Sequence, residues 1–141
     1  MDTSTPAPDD SQQALIVEDN QINRIVASQM LRRAGITSVQ ASGAMEALEL
    51  MRGRTFGIVL MDIQMPGMDG LEATRQIRGG AGGELNRSIP IIAMTAYSSV
   101  EDEEACYHAG MNAYLCKPLA LQRFIDVVKG FMTPDDTPGK A

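Results

Sequence analysis

The sequence has no tryptophan, and its only aromatics are three Tyr and three Phe. A core must therefore be built from aliphatic side chains, with ten Met as pliable filling. It has a single histidine, His108, and two cysteines, Cys106 and Cys116. A zinc centre needs four ligands at short paired spacings, which these three residues do not supply. The cysteines read as packed thiols rather than a disulfide, and His108 as an exposed structural residue rather than a phosphoryl donor. A basic excess is also lacking: twelve Lys and Arg face eighteen Asp and Glu, a net charge of -6, which argues against a nucleic-acid surface. No apolar run approaches the ~18 residues of a membrane span. Met1 to Asp10 is acidic and carries prolines where a signal peptide would be apolar. These absences lead to an expectation of no nucleic acid, no direct membrane contact and a cytoplasmic location, alone or as the cytosolic module of a membrane-bound parent. What is present is an ordinary globular balance, 44% apolar and 21% charged, over 141 residues, enough for about one domain.

Residues 1–13 and 133–141 are rich in Pro, Asp, Ser and Thr and read as disordered tails or linkers, leaving a domain over 14–132. Within it, short apolar runs recur at Ala14–Val17, Ser38–Ala41, Gly57–Met61, Ile89–Met94 and Ala113–Cys116. Several are apolar on both faces, the signature of parallel strands covered on each side. Helical patterns follow each run. Asn20 caps a first helix expected to bury Ile22, Ile25, Val26 and Met30 and to stop at Gly35. Ser42 caps a second with Ala44, Ala47, Leu48 and Met51 on one face. Asp69 with Glu72, and Ser98 with Glu101, read as capping boxes of the third and fourth. The fifth carries Leu121, Phe124, Ile125 and Val128 at helical spacing. Gly79 to Gly83 reads as a flexible connection; it opens no helix and no Lys-Ser or Lys-Thr pair follows, so it is not a phosphate loop. Five βα units in succession predict an α/β fold, a parallel sheet of order 2-1-3-4-5 wrapped by five helices.

In such sheets functional groups gather beyond the carboxyl ends of the strands. Those positions hold Glu18 and Asp19, then Asp62, Thr95 and Lys117. Carboxylates ~4 Å apart repel by about 4 kcal/mol at an effective dielectric of ~20, so a counter-charge is required. Hard oxygen ligands with open coordination positions suit Mg²⁺, and Lys117 brings a fixed positive charge. An oxygen-ligated cation, an ammonium, a hydroxyl and a carboxylate between them equip a carboxylate nucleophile to receive a phosphoryl group.

The segments Val17-Glu18-Asp19-Asn20, Leu60 to Gly70, Ile91 to Ala96 and Tyr114-Leu115-Cys116-Lys117-Pro118 resemble the receiver domain of two-component response regulators, over roughly Ala14 to Phe131. Val17 to Asn23 and Met61 to Pro66 are similar in particular to receivers fused to hybrid sensor histidine kinases. The resemblance implies a flavodoxin-like doubly wound fold. It implies that Asp62 is the phosphoacceptor, attacking a phosphohistidine on a histidine kinase or histidine phosphotransfer domain. Asp19 would ligate Mg²⁺ directly, Glu18 largely through water, and Gln64 through its backbone carbonyl, with Asp62 completing the metal set. Lys117 and Thr95 would bind phosphoryl oxygens, Pro118 would follow a cis peptide bond, and Tyr114 would move with Thr95 as the switch aromatic. The surface around the fourth helix and fifth strand would then address a downstream protein. The acidic run Glu101 to Glu104 on that helix reads as a solvated face or as part of this surface.

Two other readings stay open at this level. One is an interaction domain of the same fold that never takes phosphate. The other is an aspartyl-phosphate phosphatase, against which stands Gln64 at the position where a general acid is needed. Catalysis is otherwise limited to Mg²⁺-dependent self-phosphorylation and autodephosphorylation.

Overall fold

The computed structural model describes residues 13–96 and 99–132. The tails expected at 1–13 and 133–141, apart from Gln13, and the expected cap Ser98 lie outside these residues. The chain alternates strand and helix: β1 (Ala14–Val17), α1 (Gln21–Arg33), β2 (Ser38–Ala41), α2 (Ala44–Arg52), β3 (Ile58–Asp62), α3 (Gly70–Arg78), β4 (Ile91–Thr95), α4 (Val100–Ala109), β5 (Ala113–Cys116) and α5 (Leu121–Phe131). A short 3-10 turn, Glu84–Asn86, precedes β4. All strand pairings are parallel, in the order β2-β1-β3-β4-β5. This is the flavodoxin-like doubly wound sheet. No helix among the described residues is long and apolar enough to cross a membrane.

Alternation along the central strands sends side chains to two separate cores. Leu15, Val17, Val59, Met61, Ile91 and Ala93 face α2, α3 and α4. Ala14, Ile16, Ile58, Leu60, Ile92 and Met94 face α1 and α5, where Phe124 is fully buried. Burial on both faces is why these strands are apolar throughout instead of alternating with polar residues.

The caps and faces differ in places from the sequence pattern. Asn20 caps α1 as expected, accepting from the Asn23 N–H at 2.9 Å, and Asp69 caps α3 through the Glu72 N–H at 2.9 Å. Ser42 does not cap α2: Gly43 holds that position, and the Ser42 N–H and hydroxyl both donate to Glu46 Oε1. The cap of α4 is Ser99, accepting from the Asp102 N–H at 3.0 Å, one residue later than the pattern suggested.

The largest difference lies in α1. Ile22, Ile25 and Val26 are 70%, 42% and 39% exposed, and the helix buries Ala27 and Leu31 instead, with Met30 partly covered. Apolar residues occupy both sides of this helix, so periodicity alone could not choose the face, and small Ala27 lets the helix lie close to the sheet.

The glycine-rich connection is pinned rather than loose. The buried Asn86 amide donates to the carbonyls of Met51, Arg54 and Gly82. Arg78 reaches from the end of α3 to the carbonyls of Gly110, Arg87 and Ile89 and to Asn112 Oδ1, tying the approaches to β4 and β5 together.

Candidate functional site

Strand parity aims three charged side chains at one spot. Glu18, Asp62 and Lys117 each lie an even number of residues beyond an α1/α5-facing residue, namely Ile16, Leu60 and Leu115. They emerge together past the carboxyl edge of β1, β3 and β5. Lys117 Nζ donates to Glu18 Oε1 at 2.8 Å and lies 3.3 Å from Asp62 Oδ1. Glu18 and Asp62 are buried, and Asp19, exposed, closes the group: one carboxylate oxygen from each of the three acids lies within 4.8 Å of the others. The Lys117–Pro118 peptide is cis.

Thr95 ends β4 and is 2% exposed. The β4–β5 register places Ala93 beside Tyr114 and Thr95 beside Cys116. Thr95 and Tyr114 therefore project to the same side of the sheet from adjacent strands, one step apart, and Tyr114 packs on the core under α4. Gln64 lies in the β3–α3 loop, exposed, with its N–H donating to Asp62 Oδ1 at 3.3 Å. His108 is exposed in the last turn of α4, Cys106 is buried, and Cys116 is an exposed free thiol.

Electrostatics divides the two buried carboxyls. Burial first, then the charge of Glu18, pushes Asp62 up to about 6, with Lys117 pulling the other way. Burial alone would raise Glu18 too, but the hydrogen bond and charge of Lys117 overcome it and hold Glu18 below the ordinary value. Lys117 is in turn raised, since Glu18 and Asp62 outweigh the burial that would lower it. Glu18 is thus the ionised partner of the lysine, and Asp62 is left with charge that is incompletely compensated.

Three acids and one ammonium carry surplus negative charge, and all the donors are hard oxygens with an exposed mouth at Asp19. That donor set fits a small divalent cation such as Mg²⁺, held by Glu18, Asp19 and Asp62.

The pattern in the sequence marked Asn20 only as a cap and assigned no role to Asn23 or Arg24, which also surround Glu18. Its Oε2 accepts from the Asn20 N–H at 3.2 Å and, at 3.5 Å, from Asn23 Nδ2, while its carbonyl accepts from Arg24 Nη1 at 2.8 Å. The signal was available: Arg24 is a cation near the start of a helix with no acid in its first turn, the reverse of the usual arrangement. Gly70 was likewise unmarked. A Cβ there would stand 2.3 Å from the Asp62 carbonyl oxygen, so the start of α3 rests directly on the end of β3.

Residues 14–129 match the family model of the response regulator receiver domain. The polar-differentiation response regulator DivK of Brucella ovis is 36% identical over 118 residues, covering 84% of this chain and 94% of that protein. The receiver domain of sensor histidine kinase PA1611 from Pseudomonas aeruginosa, solved with a magnesium ion coordinated in its active site cleft, is 35% identical with a TM-score of 0.78, covering 87% of this chain and 98% of that one. The receiver domain of Ssk1 from Saccharomyces cerevisiae, solved with the histidine phosphotransfer signaling protein Ypd1, is 30% identical with a TM-score of 0.76, covering 86% and 88%.

Proposed function

The chain belongs to the response regulator receiver domain family of two-component signalling, and from that premise we propose that it accepts a phosphoryl group on Asp62 from a phosphohistidine of a histidine kinase or histidine phosphotransfer domain. The observation that carries this is a buried carboxylate with an ammonium 3.3 Å away and two further acids clustered beside it. A structural carboxylate gains nothing from such company, whereas a nucleophile handling phosphate needs the lysine, and the extra acids are explained by a cation.

An Asp62 oxygen attacks phosphorus as the P–N bond to the donor imidazole breaks, and the imidazole nitrogen keeps the electron pair and takes up a proton. Lys117, already 3.3 Å from Asp62 Oδ1, stays beside the new group and neutralises charge on a phosphoryl oxygen. Glu18, Asp19, Asp62 and the backbone carbonyl of Gln64 would hold Mg²⁺, which would supply the remaining neutralisation of phosphoryl charge. The exposed Gln64 side chain governs the approach of water in autodephosphorylation. The apolar residues Ile22, Ile25 and Val26 stand uncovered on α1, which begins two residues after Asp19, and offer the donor protein a surface beside the cleft.

Thr95 turns its hydroxyl to a second phosphoryl oxygen, and Tyr114, on the same side of the sheet, follows it inward. Close packing makes such a rearrangement stepwise rather than gradual. The change is read at the face of α4, β5 and α5, where Glu103, Tyr107, Tyr114, Pro118 and Arg123 line a depression of about 490 Å³ that suits a downstream protein.

The test is incubation of the chain with Mg²⁺ and acetyl phosphate, followed by intact mass. One phosphoryl adduct is expected, lost with chelator and lost in Asp62→Asn. An adduct of equal yield in Asp62→Asn refutes the assignment.

A further inference from the structure

We propose that Arg24 is a positioning residue for the divalent-cation site, holding the Glu18–Asp19 peptide from which two of its three acids project. This rests on reading the Glu18, Asp19 and Asp62 cluster as a Mg²⁺ site.

Arg24 lies in the first turns of α1, its N–H donating to the Asn20 carbonyl at 3.0 Å. A cation there opposes the helix dipole, and no acid in the first turn offsets it. The other basic residues at the helix ends, Arg32 and Arg33, sit in the last turn where the dipole favours them. Helix energetics therefore does not account for an arginine at position 24. Its side chain turns back, half-buried, and places Nη1 2.8 Å from the Glu18 carbonyl oxygen, six residues earlier.

That carbonyl occupies a decisive place. The Glu18 N–H is still in the sheet, donating to the Ala41 carbonyl at 3.1 Å, and the Glu18 carboxylate is held by Lys117 and the Asn20 N–H. Arg24 secures the remaining polar group of Glu18. The carbonyl shares its amide plane with the Asp19 nitrogen, so fixing one fixes the direction in which the exposed Asp19 leaves the strand. Groups that orient ligands in this way commonly matter to metal affinity almost as much as the ligands do.

Simple electrostatics and positioning predict opposite signs. A guanidinium beside a cation site repels the cation, so deleting it should tighten Mg²⁺ by charge alone. If Arg24 positions the ligands, deleting it weakens Mg²⁺.

The experiment is calorimetric titration of Mg²⁺ into the full chain as wild type, Arg24→Met, Arg24→Lys and Arg32→Met, with the thermal midpoint of each in chelator. Arg24→Met is expected to raise the dissociation constant ~10-fold or more, Arg24→Lys to fall between it and wild type, and Arg32→Met to match wild type. A dissociation constant in Arg24→Met equal to or below that of wild type overturns the proposal, even if the thermal midpoint falls. Should Arg24→Met not fold, Arg24→Lys decides alone: weaker binding supports the role and unchanged binding refutes it. Absence of Mg²⁺ binding by the wild type would instead remove the metal site itself, and the role of Arg24 with it.

Discussion

Replacing Asp62 with Asn keeps the shape of the side chain and removes the charge that the fold accommodates worst. Asp62 is 4% exposed, and burial first, then Glu18, raises its carboxyl from the ordinary 3.8 to about 6 against the pull of Lys117. Since the folded value lies above the unfolded one, the folded state binds the proton more tightly. The contribution of Asp62 to stability is therefore undiminished below about pH 4 and is lost as the pH climbs through about 6. At about 1.4 kcal/mol for each pH unit separating the two values, the loss above pH 6 is ~3 kcal/mol. Asp62→Asn, uncharged throughout, should be more stable than wild type by roughly 2–3 kcal/mol at pH 7 in chelator. For a chain of this size that is a rise of about 10 °C in thermal midpoint. The advantage should shrink between pH 6 and 4 and nearly vanish at pH 4. Adding Mg²⁺ should also narrow it, because a cation that binds the folded wild type stabilises that state by mass action. The assay is urea unfolding from pH 4 to 8 followed by far-UV circular dichroism, the chain having no Trp to report. An Asn variant no more stable than wild type at pH 7, or one whose advantage is the same at pH 4, refutes the reasoning.

Gly70→Ala would ordinarily help a helix by up to ~1 kcal/mol, but its Cβ would meet the Asp62 carbonyl oxygen at 2.3 Å and Ile63 Cα at 2.9 Å. It should instead destabilise by ~2–3 kcal/mol in urea unfolding and slow acetyl phosphate labelling, since α3 must lift from the strand that carries Asp62. Asn86→Ala strips the donor from three carbonyls, at Met51, Arg54 and Gly82, and should lower unfolding free energy by ~2–3 kcal/mol. Asn86 lies ahead of β4, at the edge of the sheet opposite the acids, so the labelling rate of the folded protein should not change.

Much of the site was legible in one dimension because the α/β arrangement converts strand ends into neighbours. Glu18, Asp19, Asp62, Thr95 and Lys117 are each marked by position after an apolar run, whatever their separation along the chain. What could not be read is which groups pair. Lys117 sits closer to Glu18 than to Asp62, and that choice sets which carboxyl is held below its ordinary value and which is left raised. Arg24 and Gly70 escaped for a related reason, as one acts through a backbone carbonyl and the other through the absence of a side chain. The caps of α2 and α4 slipped by one residue where Ser42 adjoins Gly43 and Ser98 adjoins Ser99, because adjacent residues compete for one cap and local geometry settles it.

By itself, then, the order of residues determined the alternation of strands and helices, the two-sided burial of the sheet and the set of groups at its carboxyl edge. Those follow from local periodicity and from turn and cap chemistry, which act over a few residues. Tertiary structure alone decided that α1 turns Ala27 and Leu31 inward and leaves Ile22 and Ile25 uncovered, and that Arg24 reaches back to Glu18. These outcomes depend on how closely a helix can approach the sheet and on where partners six to a hundred residues apart come to rest, and no local pattern carries that distance.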